Sequence, residues 1–84
     1  MNKKRALRVH AKRRAKVRYG LTINKFKRRQ IIYLIQGGKS KLLKKHSQRV
    51  SEWETVFEGK KLRLLYDKKR KEIITFLPPL EKNE

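Results

Sequence analysis

Residues 50–77, VSEWETVFEGKKLRLLYDKKRKEIITFL, carry the pattern that decides the fold. The segment contains three apolar runs of strand length, at 50–57, 61–66 and 72–77. The pair Glu58-Gly59 and the charged segment 67–71 separate these runs, and both have the composition of tight turns. The pattern therefore predicts three consecutive antiparallel strands joined by short turns.

The three runs differ in how completely they are apolar. The first alternates, so its two faces differ in polarity. One face has Trp53, Thr55 and Phe57, and the other has Glu52 and Glu54. The second and third runs are more continuously apolar, which favours positions in the middle of the sheet. The two prolines that follow the third run end it, because proline cannot donate to a sheet ladder.

Upstream of this segment, the first long stretch predicts a helix at 3–18, KKRALRVHAKRRAKVR. It has helix-forming residues throughout, and Gly20 follows as a stop signal. Its apolar content is slight, but Leu7, Ala11 and Ala15 stack on one face at spacings of four. A stripe this narrow predicts a helix that lies on the domain and not inside it.

A second helix is predicted after Thr22, which is a suitable N-cap, and before the glycine pair Gly37-Gly38. Its apolar residues cover a wide arc, which predicts that this helix supplies the main helical face of the core. They are Ile23, Phe26, Ile31, Tyr33, Leu34 and Ile35. The cations among them should then reach solvent or a ligand, namely Lys25, Lys27, Arg28 and Arg29.

The predicted fold class is α+β, with two N-terminal helices packed on one face of a four-stranded antiparallel sheet. The fourth strand is predicted at 41–47, before the other three. A chain of 84 residues has room for one core, so we expect a single domain at 1–78 and a frayed tail at 79–84. The chain has no cysteine, which excludes disulfides and thiolate zinc sites.

Charge is distributed very unevenly along the chain. The 26 Lys and Arg residues exceed the 7 Asp and Glu residues by 19, and residues 1–50 hold 18 of the cations and no acid. Such a field favours a polyanion that releases counterions on binding, so a nucleic acid is the expected partner. The predicted binding residues are Lys3, Lys4, Arg5, Arg8, Lys12, Arg13, Arg14, Lys16, Arg18, Lys25, Lys27, Arg28, Arg29, Lys39, Lys41, Lys44 and Lys45.

Other interpretations of the charge are open. A solubilising surface normally mixes the two signs, and a membrane-surface helix needs a broad face of bulky apolar residues. A helix-turn-helix DNA-binding regulator is conceivable for residues 3–36, although its third helix is not evident. The sequence has no apolar run long enough for a secretory signal or a membrane helix, so a cytoplasmic protein without membrane contact is expected.

No sequence motif indicates a cofactor or a metal. A P-loop, a dinucleotide-binding turn, an HExxH motif and zinc-ligand spacing are all missing from the sequence. His10 and His46 lie far apart along the chain, and a shared metal site would need carboxylates from the C-terminal half. We therefore expect neither a cofactor nor a bound metal.

A family resemblance runs through much of the chain. It rests on HAKRRAKVRYGL at 10–21, a helix ending in IQGG, then 51–57, GKKLRLLYD at 59–67 and IITFLP at 73–78. These runs resemble the small RelE-like and colicin-nuclease-like superfamily. The resemblance implies helices on a four-stranded antiparallel sheet and metal-independent cleavage of tRNA, mRNA or ribosome-bound RNA, as in phage-borne or other toxins. With the high charge, it also implies an acidic antitoxin or immunity protein as a partner.

Metal-independent RNA cleavage needs a general base, a general acid and cations at the phosphate. His10 is the best candidate for proton transfer, because histidine titrates near neutrality. Arg14, one turn later, would bind the phosphate, and His46 is a second candidate acid. The resemblance adds three residues on neighbouring predicted strands, Arg63, Tyr66 and Thr75.

Each of these residues also has a structural interpretation. His10, beside Leu7 and Ala11, could be a helix-packing residue, Arg63 could be a solvated strand charge, and Tyr66 and Thr75 are ordinary strand formers. Trp53 is expected in the core, with base stacking as its alternative. A non-catalytic protein of the same fold that binds RNA or the ribosome therefore stands beside the endoribonuclease hypothesis. The sequence does not predict an oligomeric state.

Overall fold

The computed structural model describes residues 3–79, and for residues 3–5 it describes the backbone alone. The elements are α1 (Lys3–Tyr19), α2 (Lys25–Gln36), β1 (Lys41–Lys45), β2 (Val50–Phe57), β3 (Lys60–Asp67) and β4 (Glu72–Leu77). This order confirms the predicted fold class of two N-terminal helices and a four-stranded sheet. The predicted tail at 79–84 lies, apart from its first residue, outside the described residues.

The four strands form an antiparallel sheet in the order β1-β2-β3-β4. On the face covered by the helices, Trp53 lies opposite Leu64, and Leu64 lies opposite Phe76. The predicted split of β2 into an apolar and an acidic face is therefore confirmed. The prediction that both apolar strands lie in the middle of the sheet is right for β3 but wrong for β4, which lies at the edge.

The apolar character of β4 is explained by α1, which packs along it. Ala11 and Ala15 are 4% and 0% exposed, so the small residues of the predicted stripe do face the domain. At the end of α1 the ring of Tyr19 meets Phe76 edge to face, with 6.4 Å between ring centroids. The Tyr19 hydroxyl donates to the Leu77 carbonyl at 2.6 Å and accepts from the Arg63 amide at 3.0 Å. One tyrosine thus ties α1 to both β3 and β4.

The start of α2 differs from the prediction. Its N-cap is Asn24, whose Oδ1 accepts from the Lys27 amide at 2.8 Å, and not Thr22. Leu21 and Ile23 are 3% and 5% exposed, so the chain stays non-helical there while these two side chains enter the core. The end of α2 at the glycine pair is as predicted, and Gly38 has the positive φ of 76° that glycine favours.

The apolar residues of α2 do not all face the core. Ile31 and Ile35 are 0% and 4% exposed, whereas Phe26 and Tyr33 are 69% and 70% exposed. The prediction that all six apolar residues of this segment form one core face is therefore wrong for the two aromatic residues. At 100° per residue they lie on the side of the helix away from the sheet.

The turn between β3 and β4 is organised by Asp67. Its Oδ1 accepts from the amides of Lys69 and Arg70 at 2.9 and 3.0 Å, and its Oδ2 pairs with the guanidinium groups of Arg49 and Arg70 at 3.0 and 3.2 Å. Asp67 is 3% exposed. Burial acts to raise its pKa, but these hydrogen bonds outweigh burial and lower the pKa to about 2.

The observed helices bear on two alternatives, a helix-turn-helix domain and contact with a membrane. After α2, residues 37–79 form strands and turns, so the described chain lacks the third helix of a helix-turn-helix domain. Neither α1 nor α2 combines the length and the apolar composition that crossing a membrane requires.

Candidate nucleic-acid interface

A cleft of about 220 Å³ lies between α1 and α2 and collects cations from both helices. The residues that line it are Arg8, Lys12, Ile23, Asn24, Lys25 and Arg28. Arg8 and Lys12 are one turn apart on α1, and Lys25 and Arg28 belong to the first turn of α2. The buried Ile23 and the N-cap Asn24 hold this end of α2 in place, so the cations are positioned by the core and by the cap.

One buried carboxylate lies beneath this cleft. Glu72 is 4% exposed and its Oε2 lies 3.0 Å from Arg8 Nη2, while its Oε1 lies 3.7 Å from Arg28 Nε. The Arg28 side chain is 13% exposed. Burial lowers the pKa of the Arg28 guanidinium from its ordinary value, and Glu72 acts in the opposite direction. The acid therefore compensates charge inside the domain, where it links α1, α2 and β4.

Four cations thus face one carboxylate at the cleft. Within the described residues, no carboxylate forms an ion pair with Lys12 or Lys25, and both residues are exposed. The positive end of the α2 dipole opens on the same space. A phosphate group matches this combination of free ammonium groups, a half-exposed guanidinium and a helix N-terminus.

The outward face of α1 extends the positive surface beyond the cleft. Lys12, Arg13 and Lys16 are exposed on this side, opposite the buried alanines. Lys16 contacts a polar neighbour, with its Nζ 3.5 Å from the Thr22 hydroxyl. This side of α1 carries no acid. A nucleic-acid backbone that approaches it therefore meets cations and is not repelled by carboxylates.

The remaining predicted binding residues differ in exposure and in their ion pairs. Arg14 and Arg18 are half-buried on α1, and Arg29 and the lysines at 39, 41, 44 and 45 are exposed. Lys27 pairs with Glu58 at 3.1 Å, which reduces its charge at the surface. Arg28 points inward to Glu72 and also lines the cleft, so of the two predicted outcomes, solvent or a ligand, it fits contact with a ligand in the cleft better than full exposure to solvent. The side chains of Lys3, Lys4 and Arg5 lie outside the described part of the chain.

The predicted catalytic residues do not meet at one place. His10 is exposed on α1 and Arg14 is half-buried on the same helix. Arg63 and Thr75 lie on the face of the sheet away from the helices, as the pairing of β3 with β4 places them. Tyr66 lies on the helix-covered face, where it is 5% exposed and its hydroxyl accepts from the side-chain Nε2 of Gln36 at 2.9 Å. The five residues therefore occupy three separate surfaces.

The structure groups His46 with Arg63 on the open face of the sheet, through an acid that the sequence did not single out as a site residue. Glu52 Oε1 lies 3.0 Å from His46 Nε2, and Glu52 Oε2 accepts from Arg63 Nε. Arg63 also donates from Nη1 to the Pro78 carbonyl at 3.1 Å. Burial acts to raise the pKa of Glu52, but the hydrogen bonds from His46 and Arg63 outweigh it and hold the pKa below its ordinary value.

No local sequence signal could have identified this cluster. His46 lies just beyond β1, Glu52 lies on β2 and Arg63 on β3, so their contact depends on strand register and on the irregular pairing between Leu42 and Lys44. Within the described residues, no group of three or more histidine, aspartate and glutamate side chains is placed to hold a metal ion.

Comparisons with known proteins add no relative. Models of protein families, curated protein sequences and solved structures were all compared with the chain, and none of them matches it. The resemblance to the RelE-like superfamily therefore stays a prediction from the quoted motifs.

Proposed function

We propose that this protein binds RNA through the cleft between α1 and α2 and the adjoining outward face of α1. The observation that carries the proposal is the set of four cations from two helices around a single carboxylate in the cleft. Glu58 and Asp67 form ion pairs elsewhere in the fold, and Glu72 pairs with Arg8 and Arg28, so none of these acids forms an ion pair with Lys12 or Lys25. Contacts of this kind recognise phosphates and carry little sequence information.

The expected binding is strongly dependent on salt. If the cleft and the outer face of α1 contact about five phosphates of a single strand, the slope of log K against log salt is about −3.5. The affinity should then fall roughly 100-fold between about 50 and 200 mM salt. A filter-binding titration of labelled RNA at several salt concentrations measures this slope. An affinity that changes less than about threefold over that range would refute phosphate contacts as its source.

A second candidate function is RNA cleavage, and the cluster of His46, Glu52 and Arg63 favours it. Glu52 contacts one ring nitrogen of His46, which fixes the orientation of an imidazole that can donate or accept a proton. Arg63 retains further N–H donors that could stabilise a phosphate in the transition state. As a proposal, His46 is the acid or base in this site, and His10 lies outside it.

Variants of the two histidines test the cleavage proposal. We expect His46→Ala to lower the rate of RNA cleavage in EDTA by about 100-fold or more, as removal of a general acid or base does. His10→Ala is the matched control, and it should change the rate less than about fivefold. The measurement is the release of labelled fragments from total RNA, tRNA and ribosomes. Equal rates for His46→Ala and wild type would exclude His46, and no cleavage by the wild type would leave RNA binding alone.

The same charge suggests the protein partner and the location. An acidic antitoxin or immunity protein would bind the surface that phosphates use, since both need opposite charge. The proposed location is the cytoplasm, where RNA is available for binding. Both statements form part of the proposal.

A further inference from the structure

Two aromatic side chains are exposed on the outer face of α2. Phe26 and Tyr33 are 69% and 70% exposed, and they are seven residues apart, so they lie on one face of the helix about 10 Å apart along its axis. The core contains neither of them, because the contacts of α2 come from its aliphatic residues, the buried Ile31 and Ile35 and the partly buried Ile32 and Leu34. Contiguous exposed apolar surface rimmed by polar residues is a common feature of binding sites.

The surface around the rings is mainly apolar and has one cation, Arg29, and no acid among its lining residues. A groove of about 510 Å³ is lined by Phe26, Arg29, Gln30, Tyr33, Leu34 and Phe57. Arg29 lies between the two rings in the sequence and on the same side of α2. The helix itself contains no acid, and nearby Glu58 is paired with Lys27 at 3.1 Å. Charge complementarity therefore favours an anionic occupant that also has flat apolar surfaces.

The position of the groove connects it to the cleft. Lys25 and Arg28 line the cleft, whereas Phe26 and Arg29, the next residues, line the groove. The two surfaces are therefore adjacent sides of the first turns of α2. A strand whose phosphates lie in the cleft can continue around the helix and place its bases on the rings.

We propose that the exposed face of α2 formed by Phe26, Arg29 and Tyr33 is a base-stacking surface for unpaired nucleotides. This inference rests on the proposed function and adds the class of RNA, which is single-stranded RNA in preference to duplex. The bases stack on the two rings, and Arg29 contacts the phosphate or the base between them. In a duplex the bases are stacked on each other and cannot reach the rings.

The test compares single-stranded and duplex RNA with equal numbers of phosphates. In the variant with Phe26→Leu and Tyr33→Leu, the apolar volume and helix propensity remain but the aromatic faces are lost. We expect its affinity for single-stranded RNA to fall at least 30-fold, given roughly 10-fold for each stacked base, and its affinity for duplex to change less than threefold. A variant with tryptophan at both positions should bind single-stranded RNA as tightly as the wild type or more tightly.

The control variant carries Leu42→Ala and Val56→Ala, which removes two exposed apolar side chains from the sheet. Its affinity for both RNAs should stay within threefold of wild type. If the wild type binds neither RNA, the proposed function itself fails. If the wild type binds RNA and the double leucine variant binds single strands equally well, the stacking surface is refuted. If the wild type self-associates and the double leucine variant does not, while the RNA affinity is unchanged, the surface binds a second copy of the chain and the stacking surface is refuted.

Discussion

Replacing Glu72 with alanine is expected to destabilise the protein by about 3–5 kcal/mol, which is the cost of leaving a buried charge without its partner. The carboxylate is 4% exposed and it compensates Arg28, whose side chain is 13% exposed. Arg8, at 44% exposure, can turn to solvent, but Arg28 cannot do so without leaving the interior. Small domains have total stabilities of only about 5–10 kcal/mol, so the Glu72→Ala change should remove roughly half of the free energy of unfolding.

Urea denaturation followed by tryptophan fluorescence measures this effect, because Trp53 is the single tryptophan and it packs against the core. The matched control replaces both partners, with Arg28→Met and Glu72→Met. Apolar side chains of similar volume can replace a buried ion pair with little cost, so this protein should recover most of the stability. A loss below about 1 kcal/mol in Glu72→Ala would contradict the proposed compensation of Arg28.

The second large effect expected is acid denaturation controlled by Asp67. Its pKa is about 2 in the folded protein, against the ordinary value of 3.8. The unfolded chain therefore binds a proton at a higher pH than the folded chain. The stabilisation from Asp67, about 2 kcal/mol, is fully present above pH ~4 and is lost as the pH falls through about 2.

The measurement is the free energy of unfolding in urea from about pH 7 to about pH 2. The control is Asp67→Asn, which keeps an oxygen that can accept from the amides of Lys69 and Arg70 but cannot titrate. It should be less stable than wild type at neutral pH, and its stability should vary less between about pH 4 and 2. If the two proteins lose stability in parallel over that interval, Asp67 does not control the acid transition.

The parts of the fold that sequence predicted well are governed by local residues. The bounds of β2 and β4 follow from turn residues and prolines, and the end of α2 follows from Gly37 and Gly38. The first strand was predicted two residues too long, since β1 ends at Lys45. A glycine or proline with a strong backbone preference marks the boundaries that were predicted correctly, and no such residue follows Lys45 at the end of β1.

The errors concern which side of an element faces the rest of the domain. Apolar residues occur on all sides of α2, so periodicity could not separate Ile31, which is buried, from Phe26 and Tyr33, which are exposed. The edge position of β4 was missed for a similar reason. Its apolar character results from contact with α1, and a sequence run does not reveal which element covers it.

The candidate sites were predicted to different degrees. The cationic character of α1 and α2 follows from counting, because residues 1–50 contain no acid. The selective pairing of Arg8 and Arg28 with Glu72 could not be predicted, since the contact joins residues distant in sequence. The same holds for the contact of Glu52 with His46 and Arg63, which requires the strand register. Composition therefore predicts the kind of partner, whereas the position of the site requires the fold.

The central claim is that the interhelix cleft binds phosphates, and the salt titration of RNA binding tests it most directly when repeated with two charge-matched variants. One variant carries Lys12→Ala and Lys25→Ala in the cleft, and the other carries Lys68→Ala and Lys69→Ala in the turn between β3 and β4. Both lose two positive charges. With two phosphate contacts removed, the cleft variant should have a slope smaller by about 1.4, while the turn variant should keep nearly the wild-type slope. Equal slopes for the two variants would mean that binding follows net charge alone, and that the cleft is not the binding site.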